Sequence, residues 1–250
     1  MLVSTLALYL TLACCAAAAS ALVIKYDLYR PESRWMLLIA TVLGAACMLA
    51  AGEIQVLVIR AVTSSGHLIS NTALAWLAGS TEEFGKLLVP LTLATLARRH
   101  MEEPIDGILY GSFAGLGAAL AESVLVLGWN SPTPFLPAQE PIRLAGHLVM
   151  GGIGSFGVGL LIARSPRALI AIVASFAAAM TLHALWDVVA FDAADHYQAH
   201  STLETWHTAS PIGLMVVGLI LFRWMVEVAS RQTRVHLQVC DVATRRCPPF

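Results

Sequence analysis

The stretch Ile105–Trp129, IDGILYGSFAGLGAALAESVLVLGW, has the length and polarity of a membrane-spanning helix. At about 1.5 Å per residue it is long enough to cross the ~30 Å hydrocarbon core of a bilayer. Its only charged side chains are Asp106 and Glu122. The whole chain follows this pattern, since 58% of its 250 residues are hydrophobic and 12% are charged, about half the charged share of a soluble domain. The sequence therefore predicts a polytopic membrane protein.

Seven apolar blocks of this kind predict an all-α membrane bundle of about seven transmembrane helices. Their expected bounds are 2–24, 35–59, 70–97, 105–129, 142–163, 168–191 and 212–229. The third is the least sharply bounded, because residues 64–71 are polar. We expect residues 1–229 to form one membrane domain, followed by a cytoplasmic tail over 230–250 that is too polar to span.

The distribution of Lys and Arg predicts the orientation of the bundle, because basic residues concentrate in cytoplasmic connections. Most of the 15 basic residues lie in alternate connections or beyond the last span. We therefore expect the N-terminus outside and the C-terminus in the cytoplasm. The first block has no basic segment before it, which favours a retained span over a cleaved signal peptide. The basic residues on the cytoplasmic side are Lys25, Arg30, Arg34, Arg98, Arg99, Arg164, Arg167, Arg223, Arg231, Arg234, Arg245 and Arg246.

Ionisable residues inside the spans cost about 2.5–3.5 kcal/mol each on insertion scales, so they indicate function. At about 1.5 Å per residue, these side chains lie about 21–28 Å from the cytoplasmic ends of their spans. Such agreement across four helices predicts one buried polar site in the outer half of the membrane. Glu53, in the second span, has no counterpart at its depth and is expected to be structural. The predicted site comprises Glu82, Glu83, Glu122, His147, His183 and Asp187.

Helical spacing predicts how some of these residues pair. His183 and Asp187 lie four residues apart and share a helix face, so the carboxylate can orient the imidazole. Lys86 lies one turn after both Glu82 and Glu83 and is expected to neutralise one of them, leaving the other for chemistry. Small-residue faces on the fourth and fifth spans allow the close helix approach that convergence requires. Their glycines are Gly111, Gly115 and Gly117, and Gly151, Gly152, Gly154, Gly157 and Gly159.

Two further polar regions have simpler interpretations. Arg143, one turn before His147, is expected near the outer interface, with its charge extended toward water. The polar segment 192–210 predicts a solvated loop or a short interfacial helix, with a surface metal site as the alternative. The residues of that alternative are His196, His200, Glu204 and His207.

Four motifs between about Ser80 and Ala190 resemble, in order, those of the PrsW family of intramembrane proteases, which belongs with the CAAX-type prenyl-protein proteases in one superfamily. One departure is Ser123, where family members usually have Asn after the glutamate of the second motif. The motifs are Glu82-Glu83-x-x-Lys86; Asp106-Gly-Ile-Leu-Tyr-Gly111 leading to Glu122; His147 with its Gly-rich continuation to Gly159; and His183-x-x-x-Asp187.

The resemblance implies a protease that cuts membrane-anchored proteins, with its core over about 80–190. The implied partners are such substrates and the lipid bilayer, not nucleic acid. The Ala-rich composition favours a bacterial plasma membrane as the location of this multi-pass protein. By position, the paired glutamates correspond to the family's catalytic pair. The other four site residues correspond to its histidines (His147 and His183) and its remaining polar positions (Glu122 and Asp187).

The mechanism that we expect uses a water between one glutamate of the pair and the two histidines. The glutamate takes a proton from the water and later passes it to the leaving amine. The histidines either bind a divalent metal, most simply zinc (Zn2+), or stabilise the oxyanion. The implied metal ligands are His147, His183 and Glu122. The chain has no HExxH motif, so a metal would be bound by residues from separate helices.

Two other classes of function compete with a protease. A non-catalytic scaffold of the same superfamily would keep intramembrane histidines but lack the paired glutamates, which this chain has. A proton-coupled transporter would use buried carboxylates as titrating groups, but it would more often show two related halves with broken helices. No such symmetry is visible in the sequence.

Overall fold

The computed structural model describes residues 2–27, 30–128, 134–198 and 205–243. Within these ranges the chain forms seven α-helices, one short 3-10 helix at Arg98–His100 and no strand. The all-α prediction is thus confirmed. The helices are α1 Leu2–Ile24, α2 Arg34–Ser64, α3 Asn71–Leu96, α4 Pro104–Leu127, α5 Gln139–Ile162, α6 Ala168–Gln198 and α7 Thr205–Ala243.

Six of the described helices are long and apolar enough to cross a membrane, namely α1, α2, α4, α5, α6 and α7. Helix α3 has the necessary length, 26 residues, but it carries Glu82, Glu83 and Lys86 near its middle. Its neighbours are α2, α4, α5 and α6, so these charges lie against protein and are buried. A charged helix is stable at this depth because neighbouring helices supply its polar partners.

Helices α4 and α5 form the centre of the bundle. Residues 104–119 of α4 and 146–160 of α5 are buried throughout. The outer helices instead expose large apolar side chains, such as Leu57 on α2, Val173 on α6 and Ile220 on α7. Lipid tails solvate such side chains, so this distribution is typical of a bundle within a membrane.

Glycines bring the backbones of α4 and α5 into contact. A Cβ atom on Gly115 would lie 2.0 Å from the carbonyl oxygen of His147, and one on Gly151 would lie 2.3 Å from that of Gly111. No side chain fits at these separations, and the obstructing atoms are backbone. The small-residue faces thus allow close packing, as the sequence predicted, and this packing places Glu122 beside His147.

We expect Gly115→Ala to destabilise the protein. An added methyl group in a packed core costs about 1–3 kcal/mol, and here α4 and α5 would have to separate. The matched control is Gly52→Ala on α2, where a Cβ atom would meet nothing within 4 Å and where alanine favours the helix by about 1 kcal/mol. Thermal unfolding in detergent measures both variants. Equal melting temperatures for the two would contradict the close packing of α4 on α5.

Helices α6 and α7 are longer than the sequence indicated. Helix α6 continues to Gln198 rather than ending near residue 191, and α7 begins at Thr205 and runs to Ala243. The segment 192–210 was expected to be a solvated loop or a short interfacial helix, and most of it extends α6 and α7 instead; the start of the expected tail continues α7. His200, Glu204 and residues 244–250 lie outside the described residues.

The motif that begins at Asp106 stabilises the opposite end of the bundle from Glu122. The Asp106 carboxylate accepts hydrogen bonds from the backbone N–H groups of Glu102 and Glu103, both at 2.7 Å, and so caps α4. The Tyr110 hydroxyl donates to the carboxylate of Glu32, in the connection between α1 and α2. From Asp106 to Glu122 the helix rises about 24 Å, so this motif serves folding rather than the predicted site.

Two carboxyl groups near the start of α4 are expected to make the stability of the folded protein depend on pH. Burial raises the pKa of Glu32 to about 7 and the pKa of Glu103 to about 7, from a usual value of 4.5. The folded state then binds protons more tightly than the unfolded state. Its extra stability is complete below about pH 4.5 and is lost as the pH rises through about 7.

We therefore expect the melting temperature in detergent to fall between pH 5 and pH 8. Glu103→Gln should flatten that dependence, because an amide cannot ionise. Glu53→Gln is the control, since Glu53 is exposed on α2. An unchanged pH dependence in Glu103→Gln would show that Glu103 does not take up this proton.

Candidate active site

Glu83 forms a buried network with one residue of its own helix and one of α6. The Lys86 ammonium lies 2.5 Å from Glu83 Oε1, and Nδ1 of His183 lies 2.6 Å from the same oxygen. All three side chains are at least 95% buried. The expected neutralisation by Lys86 therefore falls on Glu83, which leaves Glu82 as the other member of the pair.

Glu82 is buried but has no cation of its own. Its Oε1 accepts a hydrogen bond of 3.3 Å from the side-chain amide of Gln55 on α2. Its Oε2 lies 3.6 Å from Nε2 of His183, beyond hydrogen-bond distance. This oxygen has no hydrogen-bond partner among the described residues. An unpaired buried carboxylate oxygen is costly and calls for an explanation; Oε2 of Glu83 is unpaired in the same way.

The two histidines face each other between α5 and α6. Their ring centroids are 5.2 Å apart in an edge-to-face arrangement. Nε2 of His147 lies 3.2 Å from Oε2 of Glu122 on α4, and Nε2 of His183 lies 3.5 Å from Oδ2 of Asp187. Nδ1 of His147 is buried without a hydrogen-bond partner in the part of the chain that the structure describes.

The structure thus brings all six predicted site residues into one connected group, as the common depth indicated. Glu82, Glu83 and the two histidines are buried. The side chains of Glu122 and Asp187 keep 30% and 18% of their surface exposed. The group is open on the side of these two carboxylates.

Arg143, Glu140 and Ser123 form a second polar group beside Glu122, whose contacts the sequence did not predict. The side chain of Arg143 lies 3.6 Å from Glu122 and 3.4 Å from Glu140. The Ser123 hydroxyl donates a hydrogen bond of 2.5 Å to Glu140. Arg143 is therefore paired inside the protein rather than extended toward water as expected. The one available signal was its position, one turn before His147.

The second span contributes through Gln55 rather than through Glu53. Glu53 is exposed, while Gln55, two residues later, reaches both Thr81 and Glu82. Gln55 carries no charge, so the cost of an ionisable side chain in hydrocarbon did not reveal it. Its polarity in an apolar block was the available signal.

A divalent metal ion fits the centre of this group. Glu82, His147 and His183 each offer one donor atom, and these atoms lie within 4.8 Å of one another. Two histidines and a carboxylate are an accepted zinc set, and the unpartnered Oε2 of Glu82 and Nδ1 of His147 suit a cation. Glu122, the third ligand implied by the resemblance, contacts His147 but does not belong to this set of three.

The fold and this geometry define a multi-pass membrane protein with a buried acid and histidine site. Residues 32–224 match the PrsW family of intramembrane metalloproteases. That match includes α3 to α6 with all six site residues and spans most of the 250 residues. The chain belongs to this family. No curated protein and no solved structure matches the chain.

Proposed function

We propose that the protein is an endopeptidase that hydrolyses peptide bonds of membrane-anchored proteins, with Glu82 as the residue that accepts the proton of the attacking water. The observation that carries this proposal is the difference between the partners of Glu82 and those of Glu83. Glu83 is bound by Lys86 and His183, whereas Glu82 is also buried but, among the described residues, accepts only from the Gln55 amide and lies 3.6 Å from Nε2 of His183. Family membership supports the class of reaction.

Glu83 and Glu122 act as positioning residues in this proposal. A carboxylate accepts a hydrogen bond from a ring N–H group. Glu83 therefore favours the His183 tautomer with hydrogen on Nδ1 and a lone pair on Nε2. Glu122 likewise favours hydrogen on Nε2 of His147 and a lone pair on Nδ1. Each histidine then has one nitrogen lone pair that can bind a metal ion. The carboxylates that hold the two rings in this orientation come from two other helices.

A metal ion held by Glu82, His147 and His183 would supply Lewis acidity toward the water and the scissile carbonyl. We propose zinc, because imidazole and carboxylate ligands from separate helices suit its tetrahedral preference. Asp187 lies 3.5 Å from Nε2 of His183 on the partly exposed side, so its carboxylate would lie next to an ion bound there. Burial of Glu82, Glu83 and the two histidines excludes bulk water, which strengthens these electrostatic interactions.

The surroundings of the site favour a substrate delivered within the membrane. Apolar helices enclose it, and its opening lies beside Glu122 and Asp187 rather than in a soluble domain. A substrate anchored in the bilayer can present an extended segment at this depth. We therefore propose a membrane-anchored protein substrate and no nucleic acid partner.

We also propose that the N-terminus faces outward across a bacterial plasma membrane. Thiol labelling of intact cells tests this orientation with single cysteines in a chain that lacks its native ones. Ser65→Cys, between α2 and α3, should react with an impermeant reagent, whereas Pro166→Cys, between α5 and α6, should react only after lysis. The reverse pattern would invert the proposed topology.

Metal content and proteolysis together test the proposed function. Detergent-purified protein should contain a zinc ion that is lost in both His147→Ala and His183→Ala. Membranes that express the wild type should show new protein N-termini by peptide mass spectrometry, and those that express either variant should not. A wild type that produces no new N-termini, with or without added zinc, would overturn the protease and favour the scaffold.

A further inference from the structure

Two histidines and an aspartate meet at a second place, where α6 ends and α7 begins. Asp192 and His196 lie one turn apart on α6, and His207 lies in the first turn of α7. Nε2 of His207 is 2.8 Å from Oδ2 of Asp192, and Nδ1 of His196 is 3.5 Å from that oxygen. One donor atom from each residue lies within 4.8 Å of the other two.

We propose that this triad is a second metal site, which binds one divalent transition-metal ion such as Zn2+. Imidazole nitrogens with one carboxylate oxygen are the ligands that Zn2+ selects, and hard cations such as Mg2+ prefer oxygen alone. In a tetrahedral site with bonds of about 2.0–2.2 Å, ligand atoms lie about 3.4 Å apart. Nε2 of His207 and Oδ2 of Asp192, 2.8 Å apart, need only a small shift to reach that geometry, whereas the ring of His196 must bring its Nε2 toward them.

The surroundings of the triad suit an accessible site with one fixed ligand. The His207 side chain is 2% exposed, and its ring stacks on Trp206 with centroids 4.0 Å apart. The side chains of Asp192 and His196 are 41% and 35% exposed, so an ion from solution can reach them. These two can adjust to the ion while His207 holds its position.

A hydrogen bond within α6 prepares His196 as a ligand. Its Nδ1 lies 3.0 Å from the backbone carbonyl oxygen of Asp192. Because a carbonyl only accepts, this contact favours a proton on Nδ1 and a lone pair on Nε2. Hydrogen bonding of one ring nitrogen to a backbone carbonyl is the usual way in which proteins orient a metal-binding histidine.

The triad is separate from the proposed active site. Asp192 lies nine residues after His183 on α6, about 13 Å along the axis. Next to the triad, Asp195 accepts a hydrogen bond of 2.6 Å from Asn71, at the start of α3. A bound ion would therefore join the end of α6 to the start of α7 at this end of the bundle, and would stabilise that junction.

The first experiment measures Zn2+ binding by equilibrium dialysis of chelator-treated protein without a polyhistidine tag. In the His147→Ala/His183→Ala background, where the proposed active site lacks two ligands, we expect about one Zn2+ per chain. His207→Gln in that background should abolish it. The control is His67→Ala, which removes an exposed histidine from the connection between α2 and α3 and should leave the bound Zn2+ unchanged. In otherwise wild-type protein, His196→Ala should lower bound Zn2+ by one per chain, whatever the active site binds.

Trp206 provides a second readout, because it stacks on a proposed ligand. Binding of Co2+, which quenches nearby indole fluorescence, should reduce emission in the background protein, and Trp206→Phe should remove most of that reduction. The proposal is overturned if the background protein binds no Zn2+. It is equally overturned if folded His207→Gln and His196→Ala proteins bind as much as their parents. Neither result depends on proteolysis, so failure here leaves the proposed function untouched.

Discussion

Glu82→Gln is expected to reduce proteolysis by about 10²–10⁴-fold, the usual contribution of a general base, while the protein still folds. Glutamine has nearly the same shape and can keep the contact with Gln55, but its amide cannot take a proton from water. Membrane peptide profiling should show that the N-termini produced by the wild type disappear. Glu53→Gln, an exposed change on the neighbouring helix α2, should cleave normally.

The metal content of Glu82→Gln separates two contributions of this carboxylate. Loss of one zinc per chain relative to the wild type, together with activity, would mean that Glu82 acts chiefly as a metal ligand, and an unchanged zinc content would assign it to proton transfer. Glu83→Gln provides the comparison, because it removes the charge that orients His183 but leaves Glu82 in place. Full activity in Glu82→Gln with loss only in Glu83→Gln would reverse the roles that we propose for the pair.

Lys86→Met is expected to destabilise the folded protein by about 3–5 kcal/mol, the usual result of removing one partner of a buried ion pair. The two side chains of this pair are 2% and 1% exposed, so Glu83 would keep a buried charge with only His183 beside it. Denaturation in detergent measures the change. The control is Arg231→Met, because its ion pair with Glu227 is 73% and 57% exposed, and exposed pairs contribute about 0–1 kcal/mol.

The double variant Glu83→Gln/Lys86→Met tests the reason for that loss. Replacing both charges removes the uncompensated carboxylate, so the double variant should be more stable than Lys86→Met alone. Additive destabilisation would show instead that the two side chains stabilise the bundle independently. Activity should remain low in the double variant, since His183 loses its charged partner.

The sequence by itself determined the helices and predicted that their ionisable residues share one layer. Helices such as α1 and α4 follow from hydropathy, because a backbone in hydrocarbon must satisfy its own hydrogen bonds and so forms helices of membrane length. Glu122, His147 and His183 were found because an ionisable side chain at that depth is costly without a function. Both features follow from the order of residues along each helix.

Where helices continue past the apolar blocks, hydropathy was a weaker guide. It ended α6 near residue 191 and began α7 near 212, whereas the structure extends α6 to Gln198 and starts α7 at Thr205. Polar residues outside hydrocarbon can be helical or not, because water can satisfy a backbone in either form. The triad of Asp192, His196 and His207 depends on that extension, since it needs both helix ends.

Only the tertiary structure decided which partner each polar side chain has. Lys86 is one helical turn from both Glu82 and Glu83, and its choice of Glu83 depends on the position of His183 on another helix. Likewise, the packing of α4 on α5 places Arg143 beside Glu122. Such contacts are set by the rotation and crossing of packed helices, and these depend on side-chain fit across the whole interface rather than on spacing within one segment.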